Sequence, residues 1–374
     1  MKFDPATLQT LVIKIGTSLL SGRRAFEGQV MEAMVKELCA LKREHDINIL
    51  IVTSGAVGCG MNTLGITQRP TALPVKQAVA SVGQATLMHY YETLFQTYGD
   101  GLHTAQVLLS SADLANRQSY LNVRNTINTL FSMKRIVPIL NENDSTAVDQ
   151  LRFGDNDTLA AKIASKINAG LLIILSDIDG LYDRNPSDPE AQHLPEVREI
   201  TPEIEAFAGG AGTHTGTGGM ITKITAAKIA HAAGVPVAIA DGHQERIIHR
   251  VLAGETRCTV FLPGDNALPH RKRWIAFGRN VMGAMRVDAG AAHAITHLGK
   301  SLLPAGVVEV EGDFEAGDAV QIVGPEGRVL ARALVNYSSE DLKQIMGHRT
   351  GDIVTLIGHK DFDEVAHRDN MVLV

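Results

Sequence analysis

From the start of the chain to about residue 265, short apolar runs alternate with amphipathic segments. The runs are Leu11 to Ile15, Ile47 to Thr53, His103 to Leu109, Ile136 to Leu140, Leu171 to Leu175 and Val235 to Ala240. Between the first two, Val30, Met34, Leu38 and Leu41 fall three or four apart and make one helical stripe within Val30 to Glu44. Similar helical stretches separate the other runs, among them Leu121 to Met133, Thr158 to Asn168 and Met220 to Ala233, the last stopped by Gly234 as a C-cap. Strand and helix in alternation predict a mainly parallel sheet with helices on both faces, a three-layer α/β/α sandwich.

The pattern changes at Leu262-Pro263-Gly264-Asp265, which reads as the start of a linker and is followed by a basic cluster, Arg271, Lys272 and Arg273. Beyond Val281 come short β-like runs: Met285 to Val287, Gly306 to Val310, Ala319 to Val323, Val329 to Leu334 and Ile353 to Ile357. Gly312, Gly317, Gly324 and Gly327 lie between them, and only Ser339 to Met346 has helical spacing. The expected organisation is a first domain over 1–265, a linker over 266–280 and a small, mainly β domain over 281–374. A chain of 374 residues is long for one core, which agrees with two.

Composition narrows the class. Apolar residues make up 45% and charged residues 20%, as in ordinary globular proteins, and no apolar run approaches the roughly 18 residues of a membrane helix. The opening MKFDPATLQTLVIKIG carries Asp4 early and Lys14 inside its apolar run, a poor signal peptide, so a cytoplasmic protein is the expectation. Three cysteines, Cys39, Cys59 and Cys258, are widely spaced without a CxxC pair and read as buried small residues. A net charge of −6 gives no general reason to expect a nucleic-acid partner.

Several strand ends carry chemistry. In Val137 to Ala164 an apolar run ends in Asn141, Glu142, Asn143 and Asp144, and a second cluster, Asp155, Asn156 and Asp157, opens an Ala-rich helical segment. Either cluster alone reads as a turn or an N-cap; two in one strand-to-helix connection point to a site. Lys14 in Val12-Ile13-Lys14-Ile15-Gly16-Thr17-Ser18 is either an edge-strand lysine facing water or a cation aimed at phosphate oxygens, and the Gly-Thr-Ser turn behind it favours the second. Val52-Thr53-Ser54-Gly55 is another strand running into a small-residue turn that lets backbone donors approach an anion.

Gly209 to Lys223, GGAGTHTGTGGMITK, is a Gly/Thr-rich loop leading into a helix. Its first part reads as a surface loop, while Gly216-Thr217-Gly218-Gly219 with Lys223 one turn on reads as a phosphate cradle. Asp177 and Asp179 in Leu175 to Tyr182 are either turn formers or residues facing a nucleotide. No GxxxxGK[ST] and no well-placed GxGxxG occurs, and the histidines show no HExxH or Cys/His ligand spacing; His293 and His297 are an i,i+4 pair, but nothing nearby completes a metal site and they read as ordinary surface or packing residues.

Taken together and in order, these residues resemble the glutamate 5-kinases, amino acid kinases with a C-terminal PUA domain. The resemblance rests on VIKIGTSLL, IVTSGAVGCG, KQAVASVGQATLM, QVLLSSADLANRQSYLNVRNT, VPILNENDSTAV, FGDNDTLAA, LLIILSDIDGLY and GTGGMITKITAAKIA. It continues in LLPAGVVEVEGDFEAGDAV and EVAHRDNMVL, and so spans nearly the whole chain. It departs at Gly-Leu-Tyr-Asp-Arg-Asn-Pro, which lacks the family's Thr-Ala-Asp-Pro ending.

The resemblance implies phosphorylation of the side-chain carboxylate of L-glutamate by ATP with Mg²⁺, the first step of proline biosynthesis. It places glutamate binding on Ser54, Asp144 and Asn156, and the catalytic, phosphate-neutralising positions on Lys14, Asp157 and Lys223. Nucleotide contacts fall on Lys14, Ser176, Asp177, Thr217, Gly218, Gly219, Met220 and Lys223. No dedicated metal ligand is implied, the Mg²⁺ being held mainly by the ATP phosphates. Feedback inhibition by proline and a homo-oligomer, dimer or tetramer, are implied in the same way. The labile product makes a glutamyl phosphate reductase a candidate partner.

Two alternatives remain at this level. One is another amino acid kinase acting on acetylglutamate, aspartate, carbamate or a nucleoside monophosphate. The other is RNA binding through the PUA-like domain, against which Ala276 to Val374 carries 9 Lys/Arg and 14 Asp/Glu.

Overall fold

Every residue of β1 (Thr10–Ile15) is buried, because this strand sits between two parallel neighbours and is covered on both faces. An unbroken apolar run is what such a position selects. The computed structural model describes residues 1–20, 28–146, 156–208, 219–263 and 281–374. By internal contacts the chain divides into two units, Met1–Ala267 and Leu268–Val374. The expected linker, with Arg271 to Arg273, lies outside the described residues.

In the first unit β1 is followed by α1 (Thr17–Leu20), α2 (Gly28–Glu44), β2 (Asn48–Val52), α3 (Ala56–Leu64), α4 (Leu73–Tyr98) and β3 (His103–Leu109). Then come α5 (Ser111–Ala115), α6 (Arg117–Ser132), β4 (Ile136–Glu142), α7 (Asn156–Ile167) and β5 (Leu171–Ser176). The hairpin β6 (Leu181–Tyr182) and β7 (His193–Leu194) precedes β8 (Glu196–Val197), α8 (Pro202–Phe207), α9 (Met220–His231), β9 (Val237–Asp241), α10 (Ile247–Ala253) and β10 (Cys258–Phe261).

Eight strands form one sheet in the order β3-β4-β2-β1-β5-β9-β10-β8, parallel throughout except where β10 runs antiparallel to β9. Leu11, Ile13 and Ile15 pack on one face with Met31, Val35 and Leu38 of α2, Leu87, Tyr91 and Phe95 of α4, and Ile248 and Val251 of α10. Val12 and Lys14 alternate to the other face, where α7 and α9 lie against each other. The expected α/β/α sandwich is therefore present.

All six predicted strands form, and β4 runs two residues further than its apolar core, so that Asn141 and Glu142 belong to the strand rather than to the loop. The stripe on α2 is buried at Met34, Leu38 and Leu41, while Val30 is only half-buried. Cys39 and Cys59 are buried, and burial pushes their thiols up to about 11 and about 12; Cys258 is half-buried. Among the described residues no helix is long and apolar enough to cross a membrane.

The second unit has its own sheet. It contains β11 (Val281–Val287), α11 (Ala289–Thr296), β12 (Val307–Gly312), β13 (Ala319–Val323), β14 (Val329–Leu334), α12 (Ser339–Ile345), α13 (Ile353–Ile357) and β15 (Met371–Leu373). The strands lie in the order β12-β11-β13-β14-β15, around a core that includes Met285, Ile322, Ala331, Tyr337 and Leu342.

Two expectations are corrected here. Ile353 to Ile357 is helical, not a strand: Ile353, Leu356 and Ile357 turn to the core while Val354 is 52% exposed, a helical period, and Gly358 closes the turn at φ 81°. The place beside β14 is taken by Met371–Leu373 instead. Ala289–Thr296 is also helical, started by Asp288, whose carboxylate accepts the N–H of Ala291 at 2.7 Å.

Candidate active site

The C-terminal ends of β1, β2, β4 and β5 and the first turns of α7 and α9 carry the polar residues singled out in the sequence. Lys14 is 3% exposed on a central strand, which rules out an edge-strand lysine facing water. Its side chain leaves the sheet towards α7, where Asp157, fully buried, is the second residue of the helix. A carboxylate in a first turn is favoured by the helix dipole and its unpaired N–H groups.

Lys14 Nζ lies 2.6 Å from Asp157 Oδ1, and Lys223 Nζ lies 3.3 Å from Asp157 Oδ2. Lys223 belongs to the first turn of α9, which packs against α7; each helix buries small residues, Ala160, Ala161 and Ala164 on α7 and Ala226, Ala227 and Ala230 on α9. Thr222 Oγ1 is 2.9 Å from the same Oδ2. One carboxylate thus fixes two buried ammonium groups that start 209 positions apart in the chain. Burying two cations is costly without such a countercharge. The trio carries more positive than negative charge, a composition suited to an anion.

A second group lies beside it. Gly55, at φ 104°, turns β2 into α3 in a conformation that only glycine adopts freely. The turn presents Thr53 O and Ser54 Oγ to Asn156 Nδ2, at 2.7 and 2.9 Å. Asn141 Oδ1 also faces Asn156 Nδ2, at 3.0 Å. The carbonyl of Thr53 accepts only, so the Asn156 amide is turned with its nitrogen inward. Its Oδ1 is buried and has no donor among the described residues. Asn156 and Asp157 are adjacent, so the helix start joins the amide group to the lysines.

The other predicted residues are placed as follows. Asp144 is half-buried just beyond β4, its N–H bonded to Glu142 O at 3.0 Å. Ser176 ends β5, is 4% exposed, and its hydroxyl donates to Asp177 Oδ1 at 3.0 Å; Asp177 itself is exposed. Asp179 is held by Tyr182, whose hydroxyl donates to Oδ1 at 2.9 Å, a turn-stabilising role. Gly219 is exposed and precedes Met220, the half-buried first residue of α9. Thr217 and Gly218 lie outside the described residues, as do Asp155 and Gly209 to Gly216.

Gln84 carried no expected role, Thr222 only that of the Thr217 to Lys223 loop it belongs to, and Asn141 stood as one polar residue among four. Thr222 adjoins Lys223 in the Gly-rich motif, and Gln84 lies in the quoted KQAVASVGQATLM segment, so both were in view without a contact to single them out. Among the described residues no cluster of three or more His, Cys, Asp or Glu is arranged to hold a metal.

A model described as the amino acid kinase family matches residues 9–241, and one described as the PUA domain matches residues 283–357. A glutamate 5-kinase of Moorella thermoacetica is 49% identical over 369 residues, covering 97% of this chain and 96% of that protein. A glutamate 5-kinase of Caldanaerobacter subterraneus is 45% identical over 366 residues, covering 97% of each. Carbamate kinase from Giardia lamblia bound to AMP-PNP shares the fold at 14% identity and a TM-score of 0.50, over 69% of this chain and 99% of that one. The chain belongs to the amino acid kinase family, in the glutamate 5-kinase branch.

Proposed function

We propose that the protein transfers the γ-phosphoryl group of ATP to the side-chain carboxylate of L-glutamate, giving L-glutamyl 5-phosphate and ADP, the first step of proline biosynthesis. The observation that carries the reading is the pairing of Lys14 and Lys223 on the two oxygens of Asp157. The names of its full-length relatives supply the substrates.

A γ-carboxylate has an ordinary pKa of about 4.3 and is ionised at neutral pH, so its attack needs no general base. A carboxylate oxygen forms the new bond to the γ-phosphorus as the bond to the β–γ bridging oxygen breaks, and ADP leaves with that electron pair. The obstacle is repulsion between an anion and a polyanionic phosphate, and positioning with charge neutralisation is the remedy. Lys14 and Lys223 would neutralise the transferring group from two sides, while Asp157 holds both ammonium groups in place. Ser54, Asp144 and Asn156 would bind glutamate, with Asn156 Oδ1 accepting from its ammonium group. Ser176, Asp177 and Thr217 to Lys223 would line the nucleotide.

Mg²⁺ fits this donor set as a companion of ATP. Both oxygens of Asp157 already face lysines, so the ion would be held mainly by phosphate oxygens. When bound it supplies further neutralisation of the phosphate charge. A cytoplasmic location, a homo-oligomer, inhibition by proline and delivery of the product to a glutamyl phosphate reductase complete the proposal by family likeness.

Hydroxylamine traps acyl phosphates as hydroxamates. The purified protein should form glutamyl hydroxamate only with ATP, Mg²⁺ and L-glutamate together, and less in the presence of proline. Turnover of acetylglutamate, aspartate or carbamate in place of glutamate would assign another acceptor.

A further inference from the structure

The amide chain behind Asn156 continues one residue deeper. Asn141 Nδ2 donates to Gln84 Oε1 at 2.9 Å, and Asn141 Oδ1 accepts both Asn156 Nδ2 and the backbone N–H of Glu142, at 3.0 and 2.9 Å. A backbone N–H can only donate, so it fixes which end of the Asn141 amide is oxygen. That choice propagates: Gln84 must turn its oxygen to Asn141 and its nitrogen away. Gln84 Nε2 is then a buried donor with no acceptor among the described residues, just as Asn156 Oδ1 is a buried acceptor with no donor.

Gln84 is brought to this place by a close contact between α3 and α4. A Cβ on Gly83 would lie 1.8 Å from Ala56 O, and one on Gly60 would lie 1.9 Å from Val79 O. Only two glycines let α4 press onto α3 at this depth, and α3 starts directly behind Ser54 and Gly55. The next residue along α4 therefore reaches the end of β4.

An orphaned buried polar atom costs about 1–3 kcal/mol and calls for a partner. The network presents one acceptor and one donor, joined through a single Asn141 side chain. An α-amino acid head group is the converse pair: an ammonium that donates and a carboxylate that accepts. We infer that Gln84 is a specificity residue of the acceptor pocket, its Nε2 donating to the α-carboxylate of the amino acid whose ammonium meets Asn156 Oδ1. This rests on the functional reading above and adds to it a recognition element for the non-reacting carboxylate.

The test compares L-glutamate with 4-aminobutyrate, which keeps the amino group and the reacting carboxylate but lacks the α-carboxylate. Gln84→Met should raise KM for glutamate about ten-fold or more, the usual loss for a hydrogen bond to a charged group. KM for ATP, kcat and the 4-aminobutyrate constant, read as KM or as competitive inhibition, should stay within about two-fold. Gln84→Glu keeps an oxygen for Asn141 but sets a carboxylate where the donor was, so it should weaken glutamate further and spare 4-aminobutyrate. Equal losses for both compounds in either variant, or a glutamate KM unchanged in Gln84→Glu, would overturn the inference. If the wild-type protein makes no glutamate-dependent hydroxamate, it is the functional reading that fails.

Discussion

Lys14 Nζ sits 2.6 Å from Asp157 Oδ1, and this contact ties the central strand of the sheet to the start of the helix that also carries Asn156. On the proposed assignment of roles, the acceptor and donor halves of the reaction are thereby fixed to one another through adjacent residues. In the proposed mechanism the lysines act on charge that develops in the transition state. Lys14→Ala and Lys223→Ala should each lower kcat by about 100-fold or more with smaller changes in glutamate KM. Steady-state kinetics with the hydroxamate assay checks this, and normal turnover in Lys14→Ala would refute the assigned role.

Asp144 stands on the other side of that division. Its proposed contact is to the substrate rather than to the moving phosphoryl group, so Asp144→Ala should raise the glutamate KM about ten-fold or more while kcat stays near wild type. A fall in kcat with unchanged KM would move Asp144 to the phosphate side.

Much of this site was legible because parallel strands end where ligands bind, so Lys14, Ser54, Ser176 and the Asn156-Asp157 pair stood at run ends or helix starts. What stayed hidden were contacts between distant segments. Nothing near Lys14 in the chain names Asp157 as its partner, and only the resemblance joined them. The long helix α4 was not delimited by apolar spacing: Val75, Val82 and Tyr90 are exposed, while Gly83 occupies a buried position in the series Val79, Gly83, Leu87, Tyr91 and Phe95. A glycine scores as a breaker in a sequence and here serves as a contact surface. In the second unit the β-branched run Ile353 to Thr355 suggested a strand, and its single buried face became visible only with the fold.

That glycine contact yields a stability prediction. Gly83→Ala places a methyl 1.8 Å from Ala56 O and 2.2 Å from the Gly60 nitrogen, backbone atoms that can yield only if a helix moves. The variant should lose about 1–3 kcal/mol despite the better helix propensity of alanine, because overpacking outweighs propensity at so close an approach. Urea unfolding measures the loss, and a stability equal to wild type would mean that α3 and α4 can separate freely.

The pH dependence of stability should expose the tie between α4 and the edge strand β3. Glu92 of α4 accepts the Thr104 N–H at 2.7 Å, the Thr104 hydroxyl at 2.6 Å and the Gln96 amide at 2.7 Å, and meets His103 Nδ1 at 2.9 Å. Burial alone would raise this carboxyl; the hydrogen bonds from Thr104, His103 and Gln96 outweigh it and hold the group at about 2, against an ordinary 4.5. A carboxyl with a lowered folded-state pKa stabilises the fold fully above its unfolded value and loses that contribution as pH falls towards the folded one. Glu92→Gln should therefore be less stable than wild type at pH 7, and the gap in urea midpoint should narrow progressively between about pH 4.5 and pH 2. A gap that stays constant through that window would show that packing, and not the charge of Glu92, holds β3 to the helix.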